Sequence, residues 1–176
     1  MLLNLKTKLA RRRRPDGTGD EGFTLIELMV VVGIIAILLA IAIPTFLASR
    51  GKAQDKSAQS SLRNTLTAAK SIYADTNDYS KADTTALTAG EKSLTFAVTG
   101  TDSTGPTNVS INGGTSVSST FYAAAKSDAG TCYYIKDSSG SAGTGTQYAS
   151  LASAGANTCT GTAAAAVAAA NWKAKW

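Results

Sequence analysis

A single carboxylate stands at the start of the longest apolar run in the sequence. Glu27 is followed, from Leu28 to Ser49, by residues without a charged side chain. An ionisable group inside a membrane span costs on the order of 3 kcal/mol and normally persists because it has a partner. Glu27 lies four residues after Phe23, about one helical turn on. This spacing suits an ion pair with an amine, and the alternative is a carboxylate that snorkels to the lipid headgroups.

The second chemical feature is the lack of histidine in the sequence. Imidazole is the usual general base near neutral pH and the commonest metal ligand. Ser-His and Cys-His nucleophilic catalysis are therefore excluded, and zinc catalysis loses its usual ligand. The part after Ser49 also has no clustered carboxylates and no phosphate-binding glycine loop. We therefore expect no enzyme, no cofactor and no metal site.

The segment that carries Glu27 has the length and composition of a membrane span. A helix over residues 23–49 rises 1.5 Å per residue and crosses a hydrocarbon core of about 30 Å. Residues 1–22 are polar and basic and contain the run Arg11 to Arg14. Positive charge on this flank keeps the N-terminus in the cytoplasm, so we expect everything after Ser49 to be exported. Hydropathy alone fits a simple single-pass anchor equally well.

Residues 50–79 change to the period of an amphipathic helix. Neither glycine nor proline interrupts the chain from Lys52 to Tyr79. We therefore predict that this segment continues the apolar one as a single long helix. Small and apolar side chains recur at helical spacing along one face, at Ala58, Leu62, Leu66, Ala69 and Tyr73, with Ile72 beside them.

Residues 80–176 have the pattern of short strands separated by turns. Strand candidates are 94–98, 108–111, 120–125 and 132–136, where β-branched and aromatic residues concentrate. Glycine-rich stretches separate them. The predicted fold class is α+β, with a long N-terminal helix whose amphipathic half packs against a small antiparallel β-sheet.

The junction Gly22-Phe23-Thr-Leu-Ile-Glu27, placed directly before the apolar run, resembles the processing and assembly motif of type IV pilins and pseudopilins. The resemblance implies that a prepilin peptidase cuts after Gly22, where the lack of a side chain allows close approach to the backbone. The alternative for Gly22 is an ordinary loop glycine before a helix. The resemblance also implies that residues 1–22 are a leader peptide, that Phe23 is methylated, and that Glu27 pairs with the amino terminus of a neighbouring subunit during filament assembly.

Pro44 matches a proline found at this point in many pilins. It removes a backbone hydrogen bond and presses on the carbonyl of Ala40, so we expect a helix kink. The alternative is a kink that is merely tolerated in a bundled span. A glycine that is common nearby in pilins is replaced here by Ala36.

The two cysteines predict a disulfide bond. Cys132 and Cys159 are the only cysteines, and an oxidising exterior favours a disulfide. Many pilins carry such a C-terminal bridge, and two free buried thiols are the alternative.

The resemblance implies a structural subunit that begins as a membrane precursor. It polymerises into a homo-oligomeric surface filament through an assembly platform and ATPase. The alternatives are a pseudopilin or minor pilin of a type II secretion or DNA-uptake machine, or a membrane-anchored surface-binding module.

The last six residues combine tryptophan and lysine. As a strand, this segment places Trp172, Ala174 and Trp176 on one face, with Lys173 and Lys175 on the other. Such a surface could stack on single-stranded DNA or lie on an anionic cell-surface polymer. The alternative is a segment that packs its tryptophans. The net charge of +5 does not by itself imply a nucleic-acid partner.

Overall fold

The structure is a computed structural model that describes residues 22–112, 119–139, 145–152, 155 and 158–176. The predicted leader lies outside the described residues except for Gly22, so it stays a prediction. The chain divides into two compact units between Ile43 and Pro44. The second unit contains the sheet and the buried core.

One helix, α1, spans Leu25–Thr76 and continues through Pro44. It joins the two segments that the sequence predicted as one long helix, and it ends three residues before the predicted boundary at Tyr79. The next residue, Asn77, takes a left-handed φ of 54°. Asparagine tolerates this conformation better than most residues, and it closes the last turn.

Five strands form one sheet in chain order. Strands β2 to β5 pair antiparallel, whereas β1 pairs parallel with β2. The predicted antiparallel sheet is therefore confirmed except at this edge, and the four predicted strands correspond to β1–β4. The fifth strand was missed. The strands are β1 (Thr95–Ala97), β2 (Asn108–Ile111), β3 (Thr120–Lys126), β4 (Thr131–Ser138) and β5 (Gly145–Ala152).

Two short helices lie in stretches that we expected to hold loops and strands. Helix α2 spans Thr84–Gly90 and α3 spans Gly161–Ala165. Each begins at a capping side chain, because Asp83 accepts from the amide of Ala86 and Thr160 accepts from the amide of Ala163, both at 2.8 Å. An Asp or Thr before a threonine- and alanine-rich stretch was the available signal.

The main core lies between α1 and one face of the sheet. The predicted helix face is confirmed: Ala58, Leu62, Leu66 and Ala69 are buried, and Ile72 and Tyr73 are partly buried against them. The sheet presents apolar side chains to this face at alternate positions. They are Val109, Ile111, Phe121, Ala123, Ala125, Tyr133 and Ile135.

A second, smaller cluster covers the opposite face of the sheet. It contains the disulfide between Cys132 and Cys159, whose Cα atoms are 5.5 Å apart, and both cysteines are buried. The predicted bridge is confirmed. Helix α3 packs closely at this face: a Cβ at Gly161 would come within 2.2 Å of the carbonyl carbon of Ile111, so only glycine fits.

Candidate functional site

The predicted site residue Glu27 lies in the first turn of α1, where it takes part in a capping arrangement. The amide of Glu27 donates to Oγ1 of Thr24 at 3.2 Å, and the Thr24 hydroxyl donates to Oε2 of Glu27 at 3.4 Å. Thr24 thus occupies the cap position and Glu27 the third helical position of a capping-box sequence, but here the carboxylate accepts from the Thr24 hydroxyl, whereas in a capping box it accepts from the backbone amide of the cap residue. A carboxylate in the first turn also interacts favourably with the helix dipole.

Thr24 is the residue of this site that the sequence analysis did not single out. The signal was present, because Thr24-Leu-Ile-Glu27 has the pattern Ser/Thr-x-x-Glu directly before an apolar run. The capping role explains why the helix begins at Leu25. Both side chains are exposed, so the carboxylate has room for a further partner.

Gly22 and Phe23 precede the helix and are exposed. The Phe23 side chain is 82% exposed, which is the highest value among the large apolar residues of this segment. A Cβ added at Gly22 would find no described atom within 4 Å, and its φ lies outside the left-handed region. Nothing in the described part of the chain therefore requires glycine at position 22.

The first half of α1 exposes every apolar side chain that it carries. From Phe23 to Leu47 the large apolar side chains are 46% to 82% exposed. The helix is long and apolar enough to cross a membrane, and none of that apolar window is buried within the structure. Pro44 lies inside this helix, and the kink expected there stays a prediction. A continuous apolar surface of this size marks a membrane or protein interface.

The C-terminal segment, residues 171–176, differs from the predicted strand with tryptophans on one face. The tryptophans instead pack on opposite faces of the sheet. Trp172 joins the disulfide cluster, whereas Trp176 packs beside Tyr133 and Tyr148 on the face that α1 covers. Between them, Lys173 forms a single bridge to Tyr148 on the outer edge of β5. The segment therefore wraps around this edge, and the alternative in which it packs its tryptophans is confirmed.

The described part of the chain offers no metal centre of the usual kind. Within residues 22–112 and the other described ranges, no three His, Cys, Asp or Glu side chains converge. The one buried carboxylate network there centres on Asp137. Its oxygens accept from Tyr79 and Thr146 and lie 2.9 Å from Nζ of Lys70.

Comparison with protein families places the predicted site within a known motif. The family model for the prokaryotic N-terminal methylation motif matches residues 18–43. This range includes Gly22, Phe23, Thr24 and Glu27, together with most of the apolar half of α1. No solved structure is significantly similar to the chain.

Three curated relatives are similar over the same end of the chain. The type IV major pilin protein PilA of Myxococcus xanthus is 46% identical over 61 residues, 35% of this chain and 28% of the relative. The type IV wide pilus major component PilA4 of Thermus thermophilus is 38% identical over 79 residues, 45% of this chain and 60% of the relative. The fimbrial protein EcpB of Eikenella corrodens is 50% identical over 55 residues, 31% of this chain and 35% of the relative. In each case the match spans less than two thirds of the relative.

Proposed function

We propose that this chain, whose N-terminal segment is that of the type IV pilin family, is the structural subunit of a type IV pilus or a closely related filament. One observation carries the proposal: the methylation motif leads directly into the first half of α1, whose apolar side chains are all exposed in the single subunit. Such a surface needs a membrane or neighbouring copies to cover it. In the precursor, membrane lipid covers this apolar surface. In the filament, the laterally packed α1 helices of neighbouring subunits cover it.

Maturation follows from the junction at Gly22. Because the described residues place no steric or conformational demand on position 22, the presence of glycine there is better explained by a peptidase that must approach the backbone closely. Prepilin peptidase cuts after Gly22 at the cytoplasmic membrane face, removes residues 1–22 and methylates the new amino terminus at Phe23. The basic leader holds this end inside, and the unit with the sheet is exported.

Glu27 then supplies the register of assembly. Its carboxylate is exposed and held at the helix start by Thr24. It can therefore form an ion pair with the terminal ammonium group of Phe23 in a neighbouring subunit. An ion pair in apolar surroundings selects one register even when its net stability is small. An assembly platform and ATPase, acting from the membrane, drive the extraction of each subunit from lipid.

Two alternatives remain distinct from this proposal. A pseudopilin or minor pilin has the same N-terminal chemistry. The relatives from Myxococcus and Thermus, however, are named major pilus components, and these names do not favour the pseudopilin or minor-pilin alternative. A membrane-anchored binding module keeps its location and activity without the Glu27 carboxylate, whereas a filament subunit loses assembly.

The test is the amino terminus and intact mass of the protein recovered from sheared surface material. We expect a chain that begins at a methylated Phe23 and contains the disulfide. A chain that begins at Met1 and occurs only in the membrane fraction would overturn the proposal.

A further inference from the structure

A polar cleft lies where the C-terminal segment meets β5 and α1, and the proposed filament function does not use it. Its volume is about 250 Å³. All of its walls belong to the unit that starts at Pro44. The side chains that matter for the argument are Tyr133, Tyr148, Ser150, Asn171, Lys173 and Lys175, with Trp176 at one end.

The walls of the cleft are fixed by the way that the C-terminal segment binds the sheet. The amides of Tyr148 and Lys173 donate to each other's carbonyl oxygens, both at 2.8 Å. The indole N–H of Trp176 donates to the carbonyl of Ala149 at 3.3 Å. Lys173 is therefore anchored through its backbone and Trp176 through its side chain, and the side chains of Lys173 and Lys175 are both exposed.

The charge around the cleft is predominantly positive. Besides Lys173 and Lys175, the ammonium of Lys56 donates to Oε1 of Gln59 at 3.1 Å. The guanidinium of Arg63 lies 5.1 Å from the centre of the Trp176 ring. On the acidic side, Asp55 interacts with Tyr133. Four cationic side chains against one acidic side chain favour an anionic ligand.

The aromatic rings at the cleft are already packed and offer little to a nucleic-acid base. The Trp176 ring contacts the Arg63 guanidinium, its centre is 4.6 Å from that of the Tyr148 ring, and it meets Tyr133 edge-on at 5.7 Å. Stacking of single-stranded DNA needs free aromatic faces. The remaining exposed lining groups include an amide at Asn171 and a hydroxyl at Ser150, which match the hydroxyl groups of a sugar.

We propose that this cleft binds an anionic polysaccharide through one carboxylate-bearing sugar unit. Lys173 and Lys175 hold the carboxylate, and Asn171 and Ser150 bond the ring hydroxyls. The exported location in the proposed function brings such a polymer within reach, but the binding chemistry itself does not depend on filament assembly.

The test is binding of tetragalacturonate to the full chain in a nonionic detergent, measured by titration calorimetry. We expect saturable binding that weakens by about tenfold or more in Lys173→Gln/Lys175→Gln, because both charge-assisted contacts are lost. Lys173→Arg/Lys175→Arg should keep the binding. The matched control Lys52→Gln/Lys92→Gln removes two exposed lysines that do not line the cleft and should bind as the unchanged chain does.

Three results would overturn the proposal. They are no binding of tetragalacturonate, equal weakening in the two glutamine pairs, and tighter binding of a thymidine oligonucleotide of the same charge that displaces the sugar. Fully methyl-esterified tetragalacturonate should not bind, and binding of that neutral ligand would also contradict the carboxylate role. Thermal unfolding of each variant checks that the fold is kept. Because the measurement uses unassembled protein, its failure leaves the filament proposal standing.

Discussion

At the scale of single residues, Glu27 has two separable roles. In the subunit its amide and its carboxylate both bond the hydroxyl of the capping residue Thr24, and in the proposed filament the carboxylate pairs with an amino terminus. Capping boxes accept Glu or Gln at this position because the contact is a hydrogen bond. The ion pair requires the charge. A substitution by glutamine therefore separates the two roles.

We predict that Glu27→Gln and Glu27→Ala both insert into the membrane but fail to yield surface filaments. Glu27→Gln should keep the helix start, whereas Thr24→Ala should weaken it by about 1 kcal/mol yet still allow assembly. The measurement is the amount of subunit in sheared surface material relative to the membrane fraction. Normal filament yield from Glu27→Gln would show that capping suffices and that no ion pair is needed.

Asp137 is the second residue whose chemistry decides a property of the molecule. Its side chain is 4% exposed and lies 2.9 Å from Nζ of Lys70 on α1. Burial alone raises the pKa of Asp137, but hydrogen bonds from Thr146, Tyr79 and Lys70 outweigh it and leave the pKa below its ordinary value. The folded state therefore favours the charged carboxylate.

We predict that Asp137→Asn lowers the free energy of unfolding at pH 7 by about 2 kcal/mol, because charge-assisted hydrogen bonds are lost. A carboxyl with a depressed folded-state pKa stabilises above its unfolded value of about 3.9, and this stabilisation disappears as the pH falls through the folded pKa. The difference between the two proteins should thus shrink on acidification below about pH 4. The measurement is chemical unfolding of the full chain in detergent at a series of pH values.

The control for Asp137 is an exposed carboxylate with local bonds. Glu91 accepts from the amide and hydroxyl of Ser93, which lowers its pKa. Glu91→Gln should change stability by less than about 0.5 kcal/mol. If the gap between Asp137→Asn and the unchanged chain stayed constant from neutral to strongly acid pH, the charged network would not be its source.

At the scale of elements, the two halves of α1 differ in whether their apolar side chains are buried. The first half exposes its apolar side chains, and the second buries one face against the sheet. Both halves were predictable from sequence because the signals are local: an uninterrupted apolar run and a helical period. The same holds for the Gly22 to Glu27 motif, whose residues are adjacent.

We predict that Leu62→Ala lowers the free energy of unfolding by about 2–5 kcal/mol, because Leu62 is fully buried and the substitution leaves a cavity. The matched substitution Leu47→Ala on the same helix removes a side chain that is 58% exposed. It should change stability by less than about 0.5 kcal/mol. Near-ultraviolet circular dichroism during urea unfolding of the full chain measures both. A similar cost for the two substitutions would contradict the assignment of a buried and an exposed half.

Strand β5 shows which elements could not be predicted. Residues Gly145–Ala152 contain small and polar side chains with little β-branching, so no local pattern marks a strand. The strand exists because it pairs along its whole length with β4, a contact set by the sheet. The Asp137 network is equally hidden, since Lys70 is separated from Thr146 by 76 positions.

At the scale of the whole molecule, two devices hold the end of the chain to the sheet. One is the C-terminal segment, whose tryptophans pack on opposite faces; the sequence could not reveal this, because alternation predicts a shared face for a strand. The other is the disulfide, which was predictable because only two cysteines exist. Its two cysteines are 27 positions apart in the sequence.

We predict that Cys132→Ala/Cys159→Ala lowers the free energy of unfolding by roughly 3–4 kcal/mol, the loop entropy that a bridge of this span removes from the unfolded chain. Both cysteines are essentially inaccessible, at 0% and 1% exposure, so a thiol reductant should not weaken the native protein until it unfolds. Unfolding in urea with and without reductant tests this. The unchanged chain should lose stability only when reductant is present during unfolding, and the double variant should be indifferent to it. Rapid reduction under native conditions would mean that the cluster around Trp172 opens readily and does not shield the bridge.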